Sequence, residues 1–131
     1  MNPRLPIALN PSLGIPIYRQ IMNEITRLVG AGTLPPGSQL PSIRELAAQL
    51  RINPSSAVKA YSELAHAGTI SLDHGRGTFV SEGTGVRAAS RERALEGELD
   101  RLRQAARTLG VSDQDLVKAL ERRLKDARRP T

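Results

Sequence analysis

Three polar side chains near the start of one predicted helix, and an arginine between two glycines, are the residues best suited to recognise a partner. Ser55, Ser56 and Lys59 follow an Asn-Pro pair that is typical of a helix start. Serine hydroxyls donate and accept hydrogen bonds, and a lysine ammonium donates them to anionic or carbonyl oxygens. Arg76 stands between two glycines, which let the backbone approach an anion closely. These residue types predict non-covalent binding to an anionic surface.

The sequence offers no set of side chains for catalysis or metal binding. It has no cysteine, which excludes disulfides, thiolate zinc sites and iron–sulfur clusters. Its two histidines are His66, predicted to be a partly exposed helix residue, and His74 in a predicted turn. No acid, base, nucleophile or metal-ligand set accompanies them. We therefore predict that the chain is not an enzyme and uses no metal and no cofactor.

The excess of positive charge favours an anionic partner without locating its binding site. The 131 residues carry a formal charge of +6, of which residues 15–82 contribute +1 and residues 87–131 contribute +4. The three aromatic residues, Tyr18, Tyr61 and Phe79, are too few for the base stacking that binders of single-stranded nucleic acid need. Duplex DNA is the favoured anionic partner.

No segment of the sequence predicts association with a membrane. The apolar stretches are shorter than a bilayer span, and residues 1–14 lack the continuous apolar core of a signal peptide. Because the chain also lacks cysteines, it is predicted to be cytoplasmic.

An N-terminal arm and one amphipathic helix form the first part of the chain. Residues 1–14 contain three prolines and no helical period, so we expect an extended or partly ordered arm. A helix then begins at Pro16 or Ile17, because apolar residues recur at helical spacing from Ile17 to Leu28, and it ends near Gly32.

A helix-turn-helix is predicted over residues 42–67. Ser42 and Glu45 match a capping box that opens the second helix. After a tight turn at 51–53, Asn53 is the expected cap of a third helix that runs to about Ala67. That third helix buries one apolar face, formed by Ala57, Ala60, Tyr61 and Leu64.

A β-hairpin and a linker follow the third helix. The alternating runs 69–72 and 78–81, joined by the turn 73–77, predict a hairpin wing over residues 69–81. The glycine-bearing segment 83–89 has no period and is the predicted linker at a domain boundary. The expected fold class is therefore mainly α with a small β-hairpin wing (α+β), with a winged helix-turn-helix domain at 15–82.

The region 90–131 is predicted to form two amphipathic helices joined near Gly110. Such an αα-hairpin is too small to bury its own leucine stripe, so we expect it to pair with the same region of a second chain. Folding back onto the winged domain is the alternative. The predicted dimerisation residues are Leu95, Leu99, Leu102, Leu109, Leu116, Leu120 and Leu124.

The helix-turn-helix fits the dimensions of the DNA major groove. That groove is about 12 Å wide and admits one helix, whose N-terminal turn approaches the base edges. Ser55, Ser56 and Lys59 suit that place, free amides at the helix N-terminus would attract a phosphate, and Arg44 would face the backbone or the groove edge. Arg76 at the hairpin tip would enter a narrow minor groove. Taken singly, each of the residues on the two helices is more simply interpreted as a solvated surface position, whereas Arg76 at a hairpin tip is slightly favoured as a DNA contact. The complete candidate DNA-contact set is Ser42, Arg44, Asn53, Ser55, Ser56, Lys59, His74, Gly75, Arg76 and Gly77.

Residues 16–81 closely resemble the GntR-type winged helix-turn-helix domain. The segments that carry the resemblance are PIYRQI, LPPGSQLPSIRELA, AVKAYSELAHAGTI and GRGTFV. The short two-helix C-terminal region is similar to the YtrA-type subfamily. The resemblance implies a dimeric repressor at palindromic operators, often of transporter operons, with Arg44, Ser55, Ser56 and Lys59 on DNA-contact positions and 74–77 at the wing tip. Related members commonly have Asn-Pro-Asn-Thr where this chain has Asn53-Pro54-Ser55-Ser56, so the preferred operator bases stay open.

A winged helix can also bind protein rather than DNA, and this remains the alternative function. Salt discriminates between them, because binding through several phosphates weakens steeply with salt, whereas an apolar protein interface responds little. The two short C-terminal helices provide few walls for a small-molecule pocket, and the sequence locates no effector site.

Overall fold

The computed structural model describes residues 4–73, 75–83 and 85–128, and its elements have the mainly helical α+β character that the sequence predicts. In chain order they are a 3-10 turn at Pro11–Leu13, α1 Ile17–Gly30, β1 Gln39–Leu40, α2 Ile43–Leu50, α3 Pro54–His66, β2 Ile70–Asp73, β3 Gly77–Val80, α4 Val86–Thr108 and α5 Asp113–Ala127. Among the described residues, no helix is both long and apolar enough to cross a membrane.

One apolar core holds α1, α2, α3 and the small sheet together. The side chains of α3 that face this core are the four that the sequence predicts, and each is 1% exposed or less. Because α3 is fixed along this side, its opposite side faces outward. Core residues from the other elements include Ile21, Ile25, Val29, Leu40, Leu46, Ala47, Ile70 and Val80.

Two caps set the start of α2 and of α3. The Ser42 hydroxyl accepts a hydrogen bond from the Glu45 amide at 3.1 Å, and a Glu45 carboxylate oxygen accepts one from the Ser42 amide at 3.0 Å. The capping box is therefore confirmed. Asn53 caps α3 through its side-chain oxygen, which accepts from the Ser55 amide at 3.0 Å. Between the two helices Arg51 adopts the left-handed conformation, with φ of 55°. These local signals fix the bend of the helix-turn-helix.

The sheet has a third strand that the sequence analysis missed. Within the described residues the strand order is β1-β3-β2, with antiparallel pairing throughout. Gln39 pairs with Phe79, and Leu40 pairs with Thr78. The hairpin of β2 and β3 is present as predicted, but Asp73 and Gly77 are paired residues of the strands. The connection is therefore shorter than the predicted turn 73–77, and it contains His74, which lies outside the described residues.

The N-terminal arm is docked on the helices instead of being only loosely ordered. Leu5 is 4% exposed. The side-chain oxygen of Gln49 accepts a hydrogen bond from the Leu5 amide, and the side-chain nitrogen of Gln49 donates one to the Leu5 carbonyl. The side chain of Gln20, itself buried, bonds in the same way to the backbone of Asn10 at 2.9 Å in both directions. The backbone groups of an extended segment need such partners, and the two glutamines supply them.

The segment predicted as the linker 83–89 contains the start of a helix, so that part of the prediction was wrong. α4 begins at Val86 and crosses the end of α1, where a Cβ added to Gly30 would lie 2.6 Å from the backbone of Arg91. Ser90 at this crossing is fully buried. Small residues at both positions allow the two backbones to approach closely.

The chain divides into two compact units, Met1–Ala94 and Leu95–Thr131, with the boundary inside α4. In the second unit, the Ser112 hydroxyl caps α5 by accepting from the Asp115 amide at 3.1 Å. The Arg103 guanidinium donates to the Asp113 carboxylate at 2.9 Å and lowers the pKa of that carboxyl. Both groups lie at the surface, where such a pair contributes little to stability.

Candidate nucleic-acid interface

The outward side of α3 carries the predicted contact residues. Ser55 and Lys59 are exposed, and Ser56 is half-buried. Successive helix residues are about 100° apart, which places Ser55 and Lys59 almost opposite the centre of the buried face. Both side chains therefore project where a groove-bound duplex would meet the first two turns of α3.

The start of α3 differs in one respect from the expectation of free amides. Pro54 has no amide hydrogen, the Ser55 amide donates to the Asn53 side chain, and the Ser56 amide donates to the Asn53 carbonyl, each at 3.0 Å. These amides are satisfied within the chain, so that expectation was wrong for them. The helix dipole still favours an anion here, but direct hydrogen bonds have to come from the hydroxyls of the two serines.

Lys59 makes a contact that sequence analysis did not anticipate. Its ammonium lies 4.2 Å from the centroid of the Tyr18 ring, which belongs to α1. A cation at this distance over an aromatic face is attracted by about 0.5–1 kcal/mol at an exposed site. Tyr18 therefore limits the positions that the long lysine side chain samples. No sequence signal pairs the two residues, because the contact depends on how α1 packs against α3.

The start of α2 adds a second patch of polar groups. Arg44 is exposed in the first turn of α2, and Ser42 is the exposed cap that precedes it. The Ser42 oxygen accepts from the Glu45 amide, which leaves its hydroxyl hydrogen able to donate. A guanidinium and a hydroxyl of this kind can contact a DNA phosphate at the groove edge.

The wing tip presents Arg76 on a tight, glycine-dependent connection. Arg76 is exposed, and its amide donates to the Asp73 carbonyl at 3.0 Å. Gly75 and Gly77 have φ of 84° and 127°, values that side-chain-bearing residues rarely adopt. A Cβ on Gly77 would also lie 3.2 Å from the Gln39 side chain of β1. The glycines are thus required by the turn, and they leave the arginine uncovered at its tip.

Val58 on α3 is the exposed residue that the sequence analysis overlooked. Its side chain is 48% exposed although it is apolar, whereas neighbouring Ala57 is fully buried. The helical period would have found it, since position 58 lies outside the arc of the buried set.

Among the described residues, no cluster of three or more histidine and carboxylate side chains is arranged to hold a metal ion.

The predicted dimerisation residues lie in the second unit, and most of them are exposed within one chain. Leu95 is 57% exposed and Leu109 is 79% exposed, while Leu116 is half-buried. Val117, at 55%, extends this apolar surface and was not predicted. The remaining leucines of the predicted set, each 39–52% exposed, are Leu99, Leu102, Leu120 and Leu124.

Known proteins resemble the chain over the winged helix-turn-helix, which carries the candidate DNA-contact residues. Residues 17–80 match the family described as "Bacterial regulatory proteins, gntR family". The HTH-type transcriptional repressor YtrA of Bacillus subtilis is 43% identical over 76 residues, which cover 58% of this chain and 58% of that repressor. The HTH-type transcriptional regulator Rv1152 of Mycobacterium tuberculosis is 34% identical over 82% of this chain and 84% of its own. The chain thus spans less than two thirds of the YtrA repressor.

Solved structures show the same architecture. A GntR family transcriptional regulator from Listeria monocytogenes has a TM-score of 0.70 at 25% identity, covering 87% of this chain and 98% of its own. YtrA from Sulfolobus acidocaldarius, a GntR-family transcription factor, has a TM-score of 0.55 at 31% identity, covering 94% and 100%. The DNA-binding domain of AraR in complex with operator ORX1 has a TM-score of 0.52 at 26% identity, covering 61% and 100%. Because these relatives are named as transcriptional regulators, the prediction that the chain is not an enzyme is confirmed.

Proposed function

We propose that this chain, which belongs to the GntR family of bacterial transcriptional regulators, represses transcription by binding an inverted-repeat operator as a homodimer. In this proposal the duplex is contacted by the outward side of α3, the start of α2 and the tip of the wing. By the same resemblance, the regulated genes are those of a transporter operon, and the protein acts in the cytoplasm.

The observation that carries the proposal is the exposed polar side of α3 together with an exposed arginine at the tip of the wing. α3 is fixed by four buried side chains and by its Asn53 cap, so its outward residues keep one orientation. Exposed Ser55, Lys59 and Arg76 provide hydrogen-bond donors for base edges and phosphates. A rigid helix with small polar residues at its N-terminal turn satisfies the steric requirement of major-groove entry.

The homodimer is supported by the exposed leucines of the second unit. Apolar side chains that are 39–79% exposed along both α4 and α5 form a surface that a second copy would cover. A two-fold dimer would present two α3 helices about 34 Å apart, one turn of DNA, and would select an inverted repeat.

The first experiment selects operators from random duplex DNA with the full chain and measures the affinity of the enriched sequence at two salt concentrations. Contact with about six phosphates would weaken binding by roughly a thousandfold between ~50 and ~200 mM salt. An enriched inverted repeat with this salt dependence is the expected result. Enrichment of no sequence, together with binding that hardly changes with salt, would refute the proposal and favour a protein partner.

Light scattering tests the homodimer separately. The expected mass in the micromolar range is twice the 14.2 kDa of one chain. Leu102→Glu should shift the population towards the monomer, since it introduces a charge into the proposed apolar interface. Lys118→Ala on α5 is the matched control, because that residue lies on the side away from Leu116. A stable wild-type monomer would contradict the dimer without bearing on DNA recognition by the winged domain.

A further inference from the structure

Val58 gives the outward side of α3 an apolar element among polar neighbours. The side chain is 48% exposed, while Ser55, Lys59 and Ser62 around it are all exposed and polar. We infer that Val58 reads the methyl group of a thymine in the major groove of the operator. This inference rests on the proposed DNA-binding function and adds a specificity-determining residue to it.

The placement of Val58 follows from the helix geometry. With about 100° between successive residues, position 58 lies roughly 110° from the centre of the buried face formed by Ala57, Ala60, Tyr61 and Leu64. It is therefore on the flank of α3 and shares the outward half of the helix with Ser55 and Ser62. Position 58 is also about one and a half turns from the Asn53 cap, within the N-terminal half of the helix proposed to enter the groove.

The chemistry of valine suits a thymine methyl better than any other group in the groove. Thymine is the base that presents a methyl group there, and apolar side chains recognise it by excluding water from the contact. A valine in a helix keeps largely one χ1 rotamer, so little side-chain entropy is lost when its methyls are covered. Serine and lysine neighbours would be left without partners in an apolar protein interface, but they find phosphates and base edges on DNA.

The test replaces each thymine of a selected operator half-site by deoxyuridine, which removes only the methyl group. For the wild-type chain, one such replacement should weaken binding about fourfold, the effect expected for one buried methyl-sized group. In Val58→Ala the same replacement should change the affinity by less than about 1.5-fold, because the methyl has lost its contact. Val58 is exposed and alanine favours helix, so the variant is expected to fold normally.

Ser62→Ala is the matched control on the same side of α3. Its ratio of affinities for the thymine and deoxyuridine operators should equal that of the wild-type chain, because that ratio arises from Val58. Equal wild-type affinity for the operator and all of its deoxyuridine forms would overturn the inference while leaving the proposed function intact. A methyl effect of the same size in Val58→Ala would overturn it as well. Failure of the wild-type chain to bind any duplex would instead remove the proposed function, and this inference with it.

Discussion

The crossing of α1 and α4 predicts that Gly30→Ala destabilises the protein, although alanine is normally the better helix residue. Gly30 is the last residue of α1, and its φ is not positive, so its backbone conformation does not itself require glycine. An added Cβ would lie 2.6 Å from the Cα and from the amide nitrogen of Arg91, and 3.0 Å from the Ser90 carbonyl carbon. The neighbouring atoms belong to a helix backbone, which has no rotamer by which to move aside.

The magnitude follows from two opposing effects. Carbon atoms prefer separations of about 3.5–4.0 Å, so α4 would have to move by roughly 1 Å at this point. Overpacking of this kind typically costs about 1–3 kcal/mol. Replacing glycine by alanine stabilises the interior of a helix by about 0.5–1 kcal/mol, and a helix end by less. The expected net loss in the free energy of unfolding is about 1–2 kcal/mol, or roughly 4–8 °C in Tm for each kcal/mol.

Urea unfolding followed by tyrosine fluorescence measures the free energy of unfolding of the unit that contains the crossing. The chain has two tyrosines and no tryptophan, and both Tyr18 and Tyr61 lie in the unit Met1–Ala94 that contains the crossing. Gly97→Ala in α4 is the matched control, because nothing lies within 4 Å of its added Cβ. Circular dichroism should report a gain of up to about 1 kcal/mol for that control. A Gly30→Ala variant as stable as the wild type would refute the tight crossing.

Three further predictions concern the helix-turn-helix. Tyr61→Phe should cost about 1–3 kcal/mol of unfolding free energy, because the buried hydroxyl donates to the Pro41 carbonyl at 2.6 Å. Burial raises the pKa of the Tyr61 hydroxyl, so this group loses its proton at a lower pH in the unfolded chain than in the folded protein. The stability of the wild type should therefore fall above about pH 10, and a fall of equal size in the phenylalanine variant would contradict this. Arg51→Gly should stabilise the chain by about 0.5–1 kcal/mol in thermal unfolding, since φ of 55° strains a residue with a side chain; a loss of stability would contradict it. Lys59→Ala should weaken operator binding by about 1–3 kcal/mol in fluorescence anisotropy, whereas Lys118→Ala should not; the free energy of unfolding should fall by no more than the ~0.5–1 kcal/mol of the Tyr18 contact, and equal affinities would remove Lys59 from the contact set.

Local sequence signals were sufficient for the helices and their caps. The Ser42 and Glu45 pair, and the Asn53-Pro54 pair, act within one helical turn, so their meaning does not depend on the rest of the fold. The buried side of α3 follows from helical periodicity alone. The hairpin was predictable from its alternation and its glycines, although the connection proved shorter than predicted.

Elements that depend on distant partners were not predictable in this way. β1 has two residues, too few for alternation, and it exists because Gln39 and Leu40 pair with β3. The docked arm depends on Gln49, 44 residues from the Leu5 backbone that it holds. The close approach of α4 to α1 depends on the small residue Gly30 in another helix.

In the candidate site too, features set by local signals were predictable from the sequence, and features that depend on distant residues were not. By itself the sequence determined which residues of α3, α2 and the wing are polar, and which side of α3 is buried, because periodicity and caps are local properties. Only the tertiary structure decided that the Lys59 ammonium of α3 lies over the Tyr18 ring of α1. The physical reason is that a contact between two helices depends on atoms brought together by packing, and no single segment encodes its neighbours.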